Sequence, residues 1–558
     1  MDIPTLIKKL EQRRKQLYDE QSTWRTWWSE VSDYILPDHG RYLDGDENKD
    51  NDGEKRHQKI IDSTATDAMD ILASGMQSGL TSPARPWFRL VTPDPALLDY
   101  LPVKEWLFQV EKLMRFVFAR SNVYQALHQT YMELGCFCTG AMAVLEDYDK
   151  VIRCRAYTAG EYMLGCDHRG VVDTIYRKFE MTAMNIVTMF GEENCSDSVK
   201  QAFKNGNEEQ PFFVIHVIEP NDSRIVGVGG NRNMAYRSVY YEAKGPTDKV
   251  LRMSGFDSFP VMAPRWNVVG RNVYGTGPGR KILGDVKMLQ KMQEKSLIAL
   301  DKAIEPPVVA PAGMERKPIN TFPGGVTYSN EMDPKGGLRP LYEVRPDIQA
   351  NEFKIERVQT AIRRGLYNDL FLMLQQQDTL RKQMTATEVA ERHEEKLLML
   401  GPVLERLHGE LLDPLIDRTF EIMNRVGIIP PAPPEIQGTD LRVEYISLLA
   451  QAQKMVALSG LDQLAMAVAN LAPVKPEILD HFDEREWLEE YADGLGTPPK
   501  ILKDKAVAEQ IQRQRAQQMQ AAQGMEQMNQ ASQAAKNLGS TPMGESDALS
   551  ALLGGPAQ

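Results

Sequence analysis

Tyr274-Gly275-Thr276-Gly277-Pro278-Gly279-Arg280-Lys281 opens a long helical pattern. Beyond it, Ile282, Val286, Leu289, Met292, Leu297, Leu300 and Ile304 recur at helical spacing. At 1.5 Å per residue, Arg280 to Ile304 makes a rod of roughly 35–40 Å. Glu305-Pro306-Pro307 stops it, because proline cannot supply the amide that a helix needs. A Pro/Gly-rich insert from Pro306 to Pro346 carries a strand pattern at Val326-Thr327-Tyr328. A second helix pattern then returns through Phe353, Ile355, Val358, Ile362, Leu366 and Leu370. Helix, insert, helix predicts a hairpin with a knob at its tip.

Upstream, Leu6, Leu10, Leu17, Trp24, Trp28, Val31 and Ile35 predict an amphipathic helix over Ile3 to Ile35, ended by Leu36-Pro37. The polar stretch Asp44 to Glu54 reads as a surface loop. Helical pattern resumes over Asp62 to Gly79 and over Val103 to Leu134. From Val144 to about Tyr241 the texture changes to short β-branched and aromatic runs at 171–176, 212–218 and 238–241, punctuated by Gly, Asn and Asp. These predict a small antiparallel β domain, interrupted by a helix near Thr182 to Phe190.

Downstream, the polar segment Leu374 to Gln383 precedes a capping box at Thr385 and Glu388. A long helix pattern follows through Leu397, Leu404, Leu411 and Leu415, with kinks or breaks expected at Pro402 and Pro414. A strand pattern at Leu441 to Tyr445 and further helices lead to a Gln-rich helix from Ile501 to about Lys536. That helix lacks a wide apolar face to bury in its own chain and so points to packing between copies. Gly539 to Gln558 reads as disordered. The expected class is α+β, predominantly α-helical.

At 558 residues the chain exceeds what one core normally fills, so several structural regions are expected. The 65 basic and 77 acidic residues leave a formal charge of −12, which argues against tight, indiscriminate DNA binding. The five cysteines crowd into Cys136 to Cys195, and the first residues are charged and helical in pattern rather than signal-like. A disulfide framework is not expected, and synthesis in a reducing cytoplasm is. No apolar run approaches the roughly 18 residues of a membrane helix, so no membrane partner is expected.

Candidate chemistry fails motif by motif. Asn48 to Gly53 resembles a calcium loop, but Asn opens it and Lys59 stands where a bidentate Glu belongs. Gly275 to Lys281 lacks the Gly-Lys-Ser/Thr of a phosphate loop, and Pro278 removes a cradle amide. Cys136-Phe137-Cys138, Cys154 and Cys166-Asp167-His168 lack zinc spacing and suit small buried residues better. Gly227-Val228-Gly229-Gly230 reads as a turn. Trp24 and Trp28 share a helical face, so packing outranks base stacking. No catalytic, metal or cofactor site is assigned, and no enzyme activity is expected.

Several uncommon strings occur in a fixed order: Asp62 to Ala68, Leu72 to Met76, Gly79 to Leu90, Trp106-Leu107, Ser121-Asn122-Val123-Tyr124, Gly135 to Gly140, Tyr274 to Gly279, Met384 to Val389 and Leu400-Gly401-Pro402. Together they resemble the portal, or head-to-tail connector, family of short-tailed bacteriophages, over about residues 5–500. Val123 stands where the family pattern has Phe, and beyond Ile501 the match is weak.

The resemblance implies a portal fold with wing, stem, clip and crown regions, assembled as a homododecameric ring at one capsid vertex of the virion. In it, 1–278 correspond to the wing with its β domain, 279–304 and 351–373 to the stem helices, and 305–350 to the clip. Residues 374–384 correspond to the tunnel loop, 385–500 to the returning helix and crown base, and 501–558 to a crown or barrel helix and tail. Implied partners are other copies of the chain, the terminase packaging motor, the tail adaptor, the major capsid and scaffolding proteins, and double-stranded DNA passing inward during packaging and outward during ejection. The tunnel-loop positions expected at DNA are Gln375, Gln376, Gln377, Thr379, Arg381, Lys382 and Gln383. The alternative is another oligomeric virion scaffold or tail adaptor without a DNA channel.

Overall fold

The computed structural model describes residues 2–43, 53, 55–94, 97, 100–225, 227–246, 248–304, 308–309, 339–340, 348–375, 400–438, 441–446 and scattered positions between 464 and 533. The chain divides into two compact units, Met1–Val456 and Ala457–Gln558. It is an α+β protein dominated by helices.

In the first unit, α1 (Ile3–Tyr34) uses the expected spacing: Leu6, Leu10, Leu17, Trp28 and Val31 are all buried. Helix α2 (Thr64–Leu80) packs against α4, burying Met69, Leu72 and Met76. The pattern over Val103 to Leu134 splits into α3 (Leu101–Arg120) and α4 (Val123–Phe137). Ser121 turns extended at the break. The Asn122 side chain then binds the backbone of Cys154 twice, donating to its carbonyl at 2.7 Å and accepting from its amide at 2.9 Å. A side chain that pairs with a strand backbone competes with helix continuation.

The β region is two sheets rather than one. Strands β2 (Ala141–Asp147), β3 (Val151–Tyr157) and β9 (Val261–Met262) form an antiparallel sheet in the order β3-β2-β9. The second, five-stranded and antiparallel, runs β4 (Tyr162–Cys166), β5 (Val172–Thr182), β6 (Pro211–Pro220), β7 (Tyr236–Glu242), β8 (Arg252–Phe256) in sequence order. The runs 171–176, 212–218 and 238–241 fall at β5, β6 and β7. Between β5 and β6 lie α5 (Ala183–Phe190), capped by Thr182, and α6 (Asp197–Lys204). Tyr176, Val217 and Val239 bury one face under α1, while Phe179 and Val214 bury the other under α5 and α6. The Gly227 cluster lies in the β6–β7 connection, as expected for a turn.

Helix α7 (Pro278–Ile304) matches its expected span. Strands β10 (Val308–Val309) and β11 (Arg339–Pro340) pair antiparallel and tie together the two ends of the insert. The strand pattern at Val326 to Tyr328 lies outside the described residues. The returning helix is not continuous: α8 (Ile348–Gly365) and α9 (Asn368–Gln375) are separated at Leu366 and Tyr367. Tyr367 adopts φ 58°, a left-handed conformation that ends α8. It stacks on Trp266 at 5.7 Å between ring centroids, and that contact holds the break in place.

The capping box at Thr385 and Glu388 lies outside the described residues. From 400 the chain is helical, with a π-helical turn at His408–Leu412 leading into α10 (Asp413–Val426). Pro414 has no amide to donate back and its ring crowds the preceding turn, so the helix widens rather than breaks. β12 (Arg442–Tyr445) pairs antiparallel with β1 (Phe88–Val91) and realises the expected strand. Within the second unit, residues 464–471 and 528–533 are helical, and Met519, Met525 and Met528 are exposed.

Candidate functional site

The α7–α8 hairpin roots into the first unit at a junction of close backbone contacts. Gly279 sits in the first turn of α7 against the end of α4; a Cβ there would overlap the Cys136 carbonyl. A Cβ on Gly275 would overlap the Cys138 carbonyl. The Tyr274-to-Gly279 string is therefore a close backbone approach, not a phosphate cradle. It sets the positive end of α7 against the negative end of α4. Burial pushes the Cys138 thiol up to about 12, outweighing the amides of Gly279 and Arg280 that favour its thiolate. The thiol is neutral packing at neutral pH.

Tyr274 plugs the same junction. Its hydroxyl accepts from Gln21 Nε2 at 2.8 Å and from the Leu164 amide at 3.0 Å. Its ring meets Trp28 edge-on at 5.1 Å and Trp24 at 5.8 Å. Trp28 is fully buried and donates to the Phe137 carbonyl at 3.2 Å. The Arg280 guanidinium lies 5.5 Å from the Trp24 ring centre and 5.4 Å from that of Trp27. The tryptophan group packs and holds the hairpin root.

Asp62, just before α2, joins three helices. One carboxylate oxygen accepts from the Thr64 amide at 2.9 Å; the other accepts from Gln293 of α7 at 3.0 Å and Gln359 of α8 at 2.8 Å. Gln290 of α7 completes the clasp: Nε2 donates to the Asp62 carbonyl at 2.8 Å, and Oε1 accepts from the Ile61 and Asp62 amides. Burial works against the Asp62 charge, but the bonds from Thr64, Gln293 and Gln359 outweigh it and hold the carboxyl below its ordinary value. A second tie is the Arg265–Glu410 pair at 2.6 Å, with Arg265 also donating to the Gly170 carbonyl at 2.9 Å. It binds the π-helical turn to the β4–β5 turn.

Sequence reading missed both ties as interactions. A signal existed for one: Gln290 and Gln293 are spaced to share a helix face beside an apolar stripe. Arg265 and Glu410 lie too far apart in the chain for any local pattern. Of the positions expected at DNA, Gln375 is the last residue of α9; Gln376, Gln377, Thr379, Arg381, Lys382 and Gln383 lie outside the described residues. The Asn48-to-Asp52 loop lies outside them as well. The five cysteines are free, and all but Cys166 are buried. Among the described residues, no helix is long and apolar enough to cross a membrane.

The junction thus combines a close-approach motif, a clasped helical hairpin and flanking sheets. The family model described as bacteriophage head to tail connecting protein matches residues 7–502, and the chain belongs to that family. It is 45% identical over 542 residues to the probable portal protein of Bordetella phage BPP-1, covering 97% of each. It is 43% identical over 546 residues to the portal protein of Salmonella phage epsilon15, covering 98% of this chain and 97% of that one. A chain in the neck of an empty GTA particle aligns with 78% of this chain and 91% of its own, at 12% identity and a TM-score of 0.34. That likeness is distant. The chain works as a portal, the head-to-tail connector of a phage virion, at the capsid vertex. The family model stops at residue 502, in line with the weak match beyond Ile501, while both relatives align past it.

Proposed function

We propose that the chain assembles into a closed, dodecameric ring whose bore passes double-stranded DNA. The observation that carries this is the distal half of the α7–α8 hairpin. Leu297, Leu300 and Ile304 of α7 and Phe353 of α8 are 42–69% exposed, although they continue the stripe that is buried nearer the root. Apolar stripes of this kind are covered by a partner, and a ring of identical hairpins covers each with its neighbour. Residues 279–304 and 351–373 then act as the stem, 1–278 as the wing, and 305–350 as the clip that meets the terminase motor and later the tail adaptor. The Gln-rich segment 501–558 faces the capsid interior as crown or barrel.

The acidic balance suits a conduit, since strong phosphate binding would arrest a sliding polyanion. Residues 374–383 line the narrowest part of the bore. There Gln375, Gln376, Gln377, Thr379 and Gln383 offer weak hydrogen bonding, and Arg381 and Lys382 supply modest phosphate contact. The chain hydrolyses no nucleotide itself; the packaging motor does. Negative-stain electron microscopy of the purified chain should show wide rings with a central hole. Compact particles with no hole would favour a scaffold or tail adaptor instead. Replacing Arg381 and Lys382 by Ala should leave rings intact and alter genome retention; unchanged packaging, retention and ejection would remove the loop from DNA.

A further inference from the structure

The five-stranded sheet carries two unlike surfaces at opposite ends of β6. At one end, the β6–β7 connection exposes Ile225 and Val228, 64% and 54% accessible, between the exposed cations Arg224 and Arg232. Side-chain amides brace the described residues of this loop. Asn233 Nδ2 donates to the carbonyls of Ile225 and Val228 at 2.6 Å each, and its Oδ1 accepts from the Ile225 amide at 2.7 Å. Asn221 donates to the carbonyls of Arg232 and Met234. At the other end, α5 exposes Met184, 46% accessible, whose amide bonds the Glu208 carbonyl at 3.0 Å. Glu208 and Glu209 are exposed beside it. The acid Glu192 of the same end is already paired with Lys204 at 2.8 Å.

We propose that these two surfaces meet between neighbouring copies of the chain: the Ile225/Val228 loop of one docks on the Met184/Glu208/Glu209 end of the next. The partner follows from complementarity. One patch is aliphatic and basic, the other thioether-bearing and acidic, and both belong to the same chain. The ten residues of β6 separate them by roughly 30 Å, so one copy cannot satisfy both. Unlike patches on opposite ends of a subunit make a heterologous contact, which closes into a ring when the rotation between copies closes. The bonds from Asn233 and Asn221 already fix part of the loop backbone, which lowers the ordering cost of docking, and flexible Met adapts to an aliphatic tip.

The inference rests on the ring reading, and its test separates the two. Ile225→Cys and Met184→Cys are introduced together, and rings verified by microscopy are oxidised and run on a denaturing, non-reducing gel. A ladder of covalent multimers is expected, absent from either single variant. In parallel, Arg224→Glu with Arg232→Glu should lower by at least tenfold the salt concentration at which rings dissociate. Adding Glu208→Arg with Glu209→Arg should restore it. Intact rings with neither ladder nor change in salt resistance overturn this contact and leave the ring standing. Absence of rings from the parent chain overturns both.

Discussion

The two halves of α7 carry one apolar rhythm and meet opposite fates. From Pro278 to Gln290, the buried Ile282, Leu283, Val286 and Leu289 pack into the first unit, and the clasp from Asp62 begins at Gln290. From Lys291 to Ile304 no residue of the helix is buried, yet Leu297, Leu300 and Ile304 keep the spacing. Periodicity therefore reports that a face is to be covered, without reporting by what. The root is buried by its own chain; beyond it Gln293 still reaches Asp62, but Leu297, Leu300 and Ile304 stay exposed.

The sharpest way to break that contrast is to truncate one residue in each half. Leu289→Ala should cost about 2–5 kcal/mol in urea unfolding of unassembled subunits, because it empties a site with no exposure. Leu297→Ala should stay within about 0.5 kcal/mol in the same assay while weakening ring assembly on a sizing column. Equal subunit costs would erase the distinction between the halves.

Smaller effects come from the root itself. Gly279→Ala pushes a methyl into the Cys136 carbonyl and should cost about 1–3 kcal/mol; a neutral result would mean that α4 and α7 do not approach closely enough to exclude a methyl. Asp62→Asn keeps the shape but presents an amide to amide donors, for a loss of about 1 kcal/mol per bond. Its pH dependence has a definite sign. The Asp62 carboxyl is held below its ordinary value, so its contribution is present above the ordinary carboxylate range and fades as pH falls through the lowered value. The difference between parent and Asp62→Asn should therefore shrink in acid. A gap that stays constant from neutral pH to strong acid would show that the charge is not what holds α7 and α8. Smallest of all, deleting 501–558 should leave rings able to assemble; a truncated chain that runs only as monomer would move the assembly contacts into the tail.

Much of the fold was legible because it depends on local pattern: α1, α7, β5, β6 and β7 lie where spacing and β-branched runs put them. Two breaks were not legible. Asn122 leaves its helix to pair with the Cys154 backbone, and Tyr367 turns left-handed to stack on Trp266; both are tertiary contacts overriding a continuous helical rhythm. The split of the β region into two sheets depends on β9 pairing back to β2 across a long stretch of chain, which no window can see. The junction was half legible. Tyr274 to Gly279 drew attention as a string, and its glycines took on meaning only beside the Cys136 and Cys138 carbonyls. The Asp62 and Arg265 ties join positions that only the fold brings together.

A closed ring requires that neighbouring copies cover the distal half of α7. Hydroxyl-radical footprinting of assembled rings, read at single residues by mass spectrometry, tests it directly. Leu297, Leu300, Ile304 and Phe353 should be protected nearly as well as Leu289, while Met528 in the second unit serves as a reactive reference. If those four side chains oxidise in intact rings as readily as their 42–69% exposure in the single chain implies, neighbouring copies do not cover them and the account is wrong.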